Sequence, residues 1–176
     1  MMKNLRKILP VILMLWPYLI AVSAVLPDEL GAVQSFFSVY AVSTVVVYGF
    51  NIWNAFAGSY EDFGHRLAFY DMLIKLIHIP FYICVFLIGL LLAFAMVVPA
   101  LLFVSPILIS FMAVIDLGLM FTSSMYGISA IVRLLRKNAI SKKTALLHII
   151  LHFIFVADVI SAICIYRKSK KLKNLP

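Results

Sequence analysis

Charged residues are scarce in this sequence: only 12% of its 176 residues are Asp, Glu, Lys or Arg, against roughly 25% in an ordinary soluble domain. Apolar residues make up 65% of the chain, and the mean hydropathy is +1.10. A water-soluble core cannot use this much apolar surface, so lipid must be the solvent for most of it. We therefore predict an integral membrane protein, organised as a single helical domain over residues 1–176.

Cysteines and catalytic motifs are also scarce. Cys84 and Cys164 are far apart and show no metal-binding spacing, so we interpret them as small apolar residues within helices. No nucleophile elbow, phosphate-binding loop or dinucleotide fingerprint occurs in the chain. Glu61, Asp62 and Arg66 spell EDxxxR, which resembles the EExxxR element of the CAAX-protease-like membrane enzymes, but no FxxxH motif follows it. The pattern favours a charged turn, a non-enzymatic protein and no cofactor.

Five apolar runs are long enough to cross a hydrocarbon core of roughly 30 Å. They cover residues 8–26, 32–56, 80–104, 107–131 and 144–166. Residues 67–79 form a shorter amphipathic segment, which is typical of a helix that lies along the membrane interface. Asp71, Lys75 and His78 fall on one face of it, and Asp71 precedes Lys75 by four, the favourable order for an ion pair. The predicted fold is an all-α polytopic membrane protein with about five transmembrane helices and one interfacial helix.

Polar and small residues inside the runs predict contacts between helices. Asn51 and Asn54 share one helical face, which favours hydrogen bonds to a neighbouring helix. Ser124 and Gly127 are small residues suited to close helix packing. Pro17 is expected to kink the first run.

The basic residues predict the topology. Lys3, Arg6 and Lys7 precede the first run, which places the N-terminus in the cytoplasm. A second cluster is predicted to face the cytoplasm and touch anionic headgroups; it comprises Arg133, Arg136, Lys137, Lys142 and Lys143. Five spans would put a third cluster, residues 167–173, outside, against the positive-inside rule.

Three alternatives to this topology stay open. Six shorter spans are one, and a last segment that enters the membrane and returns is another. The small residues around Ala24 also resemble a signal cleavage site. The last run has ordinary spanning length and no turn residue, which favours five spans.

Four ionisable residues within the runs are candidate functional groups: Asp116, His148, His152 and Asp158. Five spans would bring Asp116 and Asp158 to one depth, where two carboxylates cannot both ionise cheaply and would share a proton. His148 and His152 have the spacing of two metal ligands. The catalytic Glu of an HExxH site is missing, so they are only weak metal candidates and no metal is predicted.

Two classes of function remain. The first is an accessory, interaction or immunity-type protein of the cell membrane, with multiple spans and a cytoplasmic N-terminus. Its partners would be anionic lipid headgroups and other membrane proteins or further copies of itself. The alternative is a proton-coupled transporter or channel subunit that uses the intramembrane Asp and His residues. Nucleic-acid binding is excluded because no soluble module exists to carry it.

Overall fold

The fold, in a computed structural model that describes residues 2–25, 30–57 and 64–173, is built from helices, and these residues contain no strand. The six α-helices are α1 (Met2–Leu15), α2 (Leu30–Phe56), α3 (His65–Ala95), α4 (Val104–Arg136), α5 (Lys142–Leu151) and α6 (Ala157–Lys173). Short 3-10 segments follow α1, at Trp16–Val25, and connect α3 to α4, at Pro99–Leu101. Glu61 and Asp62 of the EDxxxR pattern lie outside the described residues.

Four stretches of the described chain are long and apolar enough to cross a membrane: Arg6–Ser23, Gln34–Phe56, His65–Ala95 and Val104–Arg136. The predicted all-helical, membrane-type fold is thus confirmed, but not its count of about five spans. Residues 144–166 are not among the four.

A helical hairpin takes the place of the predicted fifth span. Helix α5 ends at Leu151, a turn follows, and α6 starts at Ala157. The chain then runs back, since Ser161 Oγ lies 2.8 Å from His148 Nδ1. Val156 in the turn has φ = +68°, a genuine outlier for a β-branched residue. The returning alternative therefore describes this segment, and the single crossing helix does not.

Helix α3 joins two segments that were predicted to be separate. The expected interfacial helix at 67–79 and the span that was to begin at Pro80 form one helix with Pro80 inside it. A proline removes one backbone hydrogen bond, and neighbouring helices can satisfy the groups it frees. Near the proline, the Tyr18 hydroxyl donates to the carbonyl of Ile77, although the carbonyl that Pro80 leaves without its usual donor is that of Leu76. At the other end, α3 stops at Ala95, and the short 3-10 segment that begins at Pro99 follows it.

Side-chain contacts show that one end of the bundle collects the basic residues. Asn54 near the end of α2 donates to the Arg6 carbonyl of α1 at 3.1 Å. His65 at the start of α3 stacks on Tyr166 near the end of α6, with ring centroids 5.2 Å apart. This basic end carries Arg6, Lys7, Arg66, Arg133, Arg136, Lys137, Lys142, Lys143, Arg167, Lys168, Lys170 and Lys171. Because the hairpin starts and finishes here, the charge conflict of the five-span topology disappears.

Polar contacts fasten the first helices to the rest. Helix α1 ends at Leu15, just before Pro17, as the kink predicted. Pro17 has no N–H to offer the Leu13 carbonyl one turn earlier, and His78 Nε2 lies 3.1 Å from that oxygen. The predicted amide contacts are also confirmed: Tyr126 donates its hydroxyl hydrogen to Asn51 Oδ1 at 2.8 Å and accepts from Asn54 Nδ2 at 3.1 Å.

Candidate functional site

A cluster of buried polar side chains lies where the hairpin meets α3 and α4. We call it the charge centre and define it as Asp71, Lys75, Ser124, His152, Asp158 and Ser161. Each of the six is at most 4% exposed. A buried charge is costly unless it is paired and hydrogen-bonded, so the partners of each group decide what the centre can do.

Lys75 joins three elements of the fold. Its Nζ lies 3.6 Å from Asp71 Oδ1, one turn earlier on α3, which confirms the predicted helical ion pair. The same nitrogen lies 3.4 Å from Asp158 Oδ2 on α6 and donates to Ser124 Oγ on α4 at 3.3 Å. One ammonium therefore sits between two carboxylates and holds the hairpin to the bundle.

His152 completes the charge balance. Its Nδ1 lies 2.8 Å from the His148 carbonyl, which can only accept, so Nδ1 carries a hydrogen. Its Nε2 lies 3.0 Å from Asp71 Oδ2, a contact that is a hydrogen bond only when a second proton lies between these two atoms. With that proton, the two acids are balanced by Lys75 and the imidazolium. Without it, the centre carries one net negative charge.

The charge centre also explains how the chain turns at this depth. The carbonyl of His152, at the end of α5, accepts from Ser124 Oγ at 2.7 Å. At the start of α6, Asp158 Oδ1 accepts from the Val159 amide at 2.7 Å, where the helix dipole favours negative charge. Non-helical backbone is tolerated in a membrane protein where protein groups satisfy it.

Gly127 on α4 makes room for the centre. A Cβ at this position would stand 2.0 Å from His152 Nε2 and 2.6 Å from Asp71 Oδ2. Only a residue without a side chain leaves space for the contact between His152 and Asp71. The small-residue pattern predicted close packing here, but not that the close neighbour is a charged pair.

His148 links the centre to the edge of the hairpin. It is half-buried. Its Nδ1 lies 2.8 Å from Ser161 Oγ, which in turn lies 2.9 Å from His152 Nδ1. Hydrogen bonds thus link His148 to Asp71 through Ser161 and His152, and the two ion pairs of Lys75 continue the line to Asp158.

Two clefts open on the side of the bundle. Asp158 borders one of about 480 Å³ between α3 and the hairpin. Asp116 borders another of about 410 Å³ between α3 and α4. Tyr82, Phe86 and Phe155 line both. Asp116 lies eight residues, or roughly 12 Å, along α4 from Ser124.

The predicted Asp116–Asp158 pair is not formed. Asp158 pairs with Lys75, whereas Asp116 makes no ion pair with any residue in the described ranges. His148, His152 and Asp158 do come together, joined by Asp71 and Lys75, which the sequence had assigned to an interfacial helix. The i, i+4 spacing of Asp71 and Lys75 was the signal that could have placed them at the site.

No metal site is evident. Within the described parts of the chain, no three His, Cys, Asp or Glu residues are placed to hold a metal ion. His148 and His152 instead direct their Nδ1 atoms at Ser161 Oγ. Cys84 and Cys164 are free and exposed.

The described residues thus form a small helical protein. It has four stretches able to cross a membrane and a charge centre buried between its helices. The chain belongs to the family of unknown function DUF6652, whose model matches residues 2–171. No curated protein and no solved structure matches it.

Proposed function

We propose that this chain is a proton-coupled membrane protein, a transporter or channel subunit, in which the charge centre exchanges protons. One observation carries the proposal: a line of hydrogen bonds and ion pairs runs from His148 through Ser161, His152, Asp71 and Lys75 to Asp158. Intramembrane ionisable groups in such an arrangement are typical of proton pathways.

The charge balance supplies a mechanism. With its proton, the centre is neutral and the hairpin stays docked through His152 and Lys75. Loss of the proton leaves a buried net negative charge, which is expensive in a low-dielectric interior. Proton release therefore favours a rearranged hairpin, and proton uptake favours the docked one. This is the two-state element that coupling requires.

The position in the cell follows from the basic end. Positively charged residues are retained on the cytoplasmic side of a membrane, so the basic end, with the starts of α1, α3 and α5 and the ends of α4 and α6, is assigned to the cytoplasmic side of a cell-membrane protein. There the Arg and Lys side chains attract anionic headgroups. The hairpin enters the membrane from this side and returns to it.

Proton flux in proteoliposomes tests the proposal. Under an imposed membrane potential, the lumen of vesicles with wild-type protein should acidify faster than that of empty vesicles, as reported by an enclosed pH-sensitive dye. Asp71→Asn and His152→Gln should lower the rate of acidification at least tenfold. His78→Gln is the matched control, because His78 is equally buried but hydrogen-bonded to Leu13 outside the centre. Flux equal to that of empty vesicles, or unchanged in both centre variants, would contradict the proposal.

A second candidate, an accessory or immunity-type protein, is favoured by the surface of α2. In the stretch Gln34–Phe56 the only buried side chains among the described residues are those of Asn51, Asn54 and Ala55. The outer face of this stretch carries a shallow groove lined by Ser38, Val39, Val42, Ser43 and Val46. Small residues of this kind let another helix approach closely.

Assembly state tests this second candidate. Val42→Trp should break a complex seen by mass-resolved chromatography, while Val114→Trp, at a similarly exposed position on α4, should leave it intact. Purification of the wild-type chain as a lone monomer would rule the candidate out.

A further inference from the structure

The cleft around Asp116 has the walls of a ligand site. It lies between α3 and α4 and has a volume of about 410 Å³, within the range of pockets for small molecules. Its lining is apolar apart from Asp116 and the Tyr82 hydroxyl, and it includes Phe86, Met112 and Phe155. A Cβ placed on Gly89 would meet nothing within 4 Å, so the cleft is open at this wall.

The carboxyl group of Asp116 forms no hydrogen bond or ion pair with the residues that the structure describes. Its Oδ1 is buried without a hydrogen bond, and the described residues place no Lys, Arg or His within ion-pair distance of it. Asp158, by contrast, forms an ion pair with Lys75. An acid in apolar surroundings needs either a proton or a cation.

The residues that line the cleft determine which kind of cation it can bind. Ca²⁺ and similar ions need six or more oxygen ligands, and one carboxylate among apolar side chains cannot supply them. Organic cations need apolar contact and aromatic faces, and Tyr82, Phe86 and Phe155 provide both. Tyr82 and Phe155 meet edge to face with centroids 5.1 Å apart. We propose that the Asp116 cleft binds a lipophilic organic cation.

The cleft adjoins the charge centre. Phe155 belongs to the hairpin turn, and together with Tyr82 it also lines the cleft bordered by Asp158. A hairpin that rearranges on proton release moves one wall of the cation site. The role of this cation as the transported substrate rests on the proposed function, whereas its binding to Asp116 does not.

Binding of two ions of matched shape and opposite charge tests the site. Tetraphenylphosphonium and tetraphenylborate would be measured by equilibrium dialysis against full-length protein in nanodiscs, with empty nanodiscs subtracted. The phosphonium should bind at least tenfold more tightly than the borate. Asp116→Asn, which keeps the shape of the side chain, should weaken phosphonium binding at least tenfold, and Gly89→Leu should weaken it by filling the cleft.

Two outcomes would overturn the cation site: equal binding of both ions, or unchanged phosphonium binding in Asp116→Asn. Asp71→Asn separates this inference from the proposed function, because it should abolish proton flux yet retain phosphonium binding. Binding without proton flux in the wild type would leave the cation site standing and remove the proton-coupled function. Flux without phosphonium binding would do the reverse.

Discussion

The aspartates in the two halves of the α3–α4 pair have different surroundings. Near the basic end, Asp71 is matched by Lys75 and His152, and each ionisable side chain of the charge centre has a partner within 3.6 Å. In the other half, Asp116 stands alone beside an open cleft. The difference is the hairpin, which brings His152 and Asp158 to one half only. Two packed helices hold apolar side chains readily, but charges inside them need a third element that supplies the opposite charge.

Removing the ammonium group of Lys75, which Asp71 and Asp158 share, should lower the stability of the protein more than any other change considered. Lys75→Met leaves Asp71 and Asp158 without their common ammonium group. Loss of one partner from a buried ion pair costs about 3–5 kcal/mol, so a large fall in thermal stability in detergent is expected. In the double variant with Asp158→Asn, part of the loss should return. A single variant as stable as wild type would mean that the centre does not hold the hairpin.

Crowding the centre should have the next largest effect. Gly127→Ala places a methyl group against His152 and Asp71, and overpacking of this kind costs about 1–3 kcal/mol. Gly89→Ala is the matched control in the other half, where a methyl group meets nothing within 4 Å. Thermal unfolding should separate the two variants clearly. Equal melting temperatures would contradict the packing around His152.

Loss of a hydrogen bond between neutral groups should lower the stability less than loss of a charged contact. Tyr126→Phe removes the hydroxyl that joins Asn51 and Asn54. A net hydrogen bond contributes about 1 kcal/mol, with more lost where a buried partner is left unsatisfied. We expect a loss of about 1–2 kcal/mol by thermal unfolding, below that of Lys75→Met. A loss larger than that of Lys75→Met would reverse the proposed order.

The smallest effect is expected at the unpartnered acid. Asp116→Asn breaks no ion pair and no hydrogen bond among the described residues, so stability should change by no more than about 0.5 kcal/mol. The same measurement on Asp158→Asn should show a clear loss, because Lys75 loses a partner. Equal destabilisation of both variants would show that the Lys75 ion pair of Asp158 contributes no stability beyond that of the unpaired Asp116.

Three features could be predicted from the sequence because each depends on local spacing or composition. They are the all-helical class, the hydrogen bonds that Asn51 and Asn54 make to a neighbouring helix, and the Asp71–Lys75 ion pair. The hairpin turn could not be predicted. Residues 144–166 contain neither Gly nor Pro, and Val156 adopts a backbone conformation that its side chain disfavours. Ser124 and Asp71, from other helices, hold the turn, and such long-range contacts leave no trace in local periodicity.

Two further predictions were wrong as a consequence of that hairpin. The polar face of 67–79 was assigned to the membrane interface because no buried partner was visible for Asp71 and Lys75. Those partners, His152 and Asp158, come from the returning segment. The predicted pairing of Asp116 with Asp158 assumed that the last segment crosses the membrane. Once it turns back, Asp158 faces Lys75 instead.

The side of the membrane on which the C-terminal segment lies tests the account most directly. Single cysteines would replace Asn138, Lys171 or Val97 in a chain with Cys84→Ala and Cys164→Ala, and intact cells would be treated with a membrane-impermeant maleimide. Val97, in the loop after α3, should react on intact cells. Asn138 and Lys171, both at the basic end, should react only after lysis. Reaction of Lys171→Cys on intact cells, with Asn138→Cys still protected, would contradict the returning hairpin and the charge centre built on it.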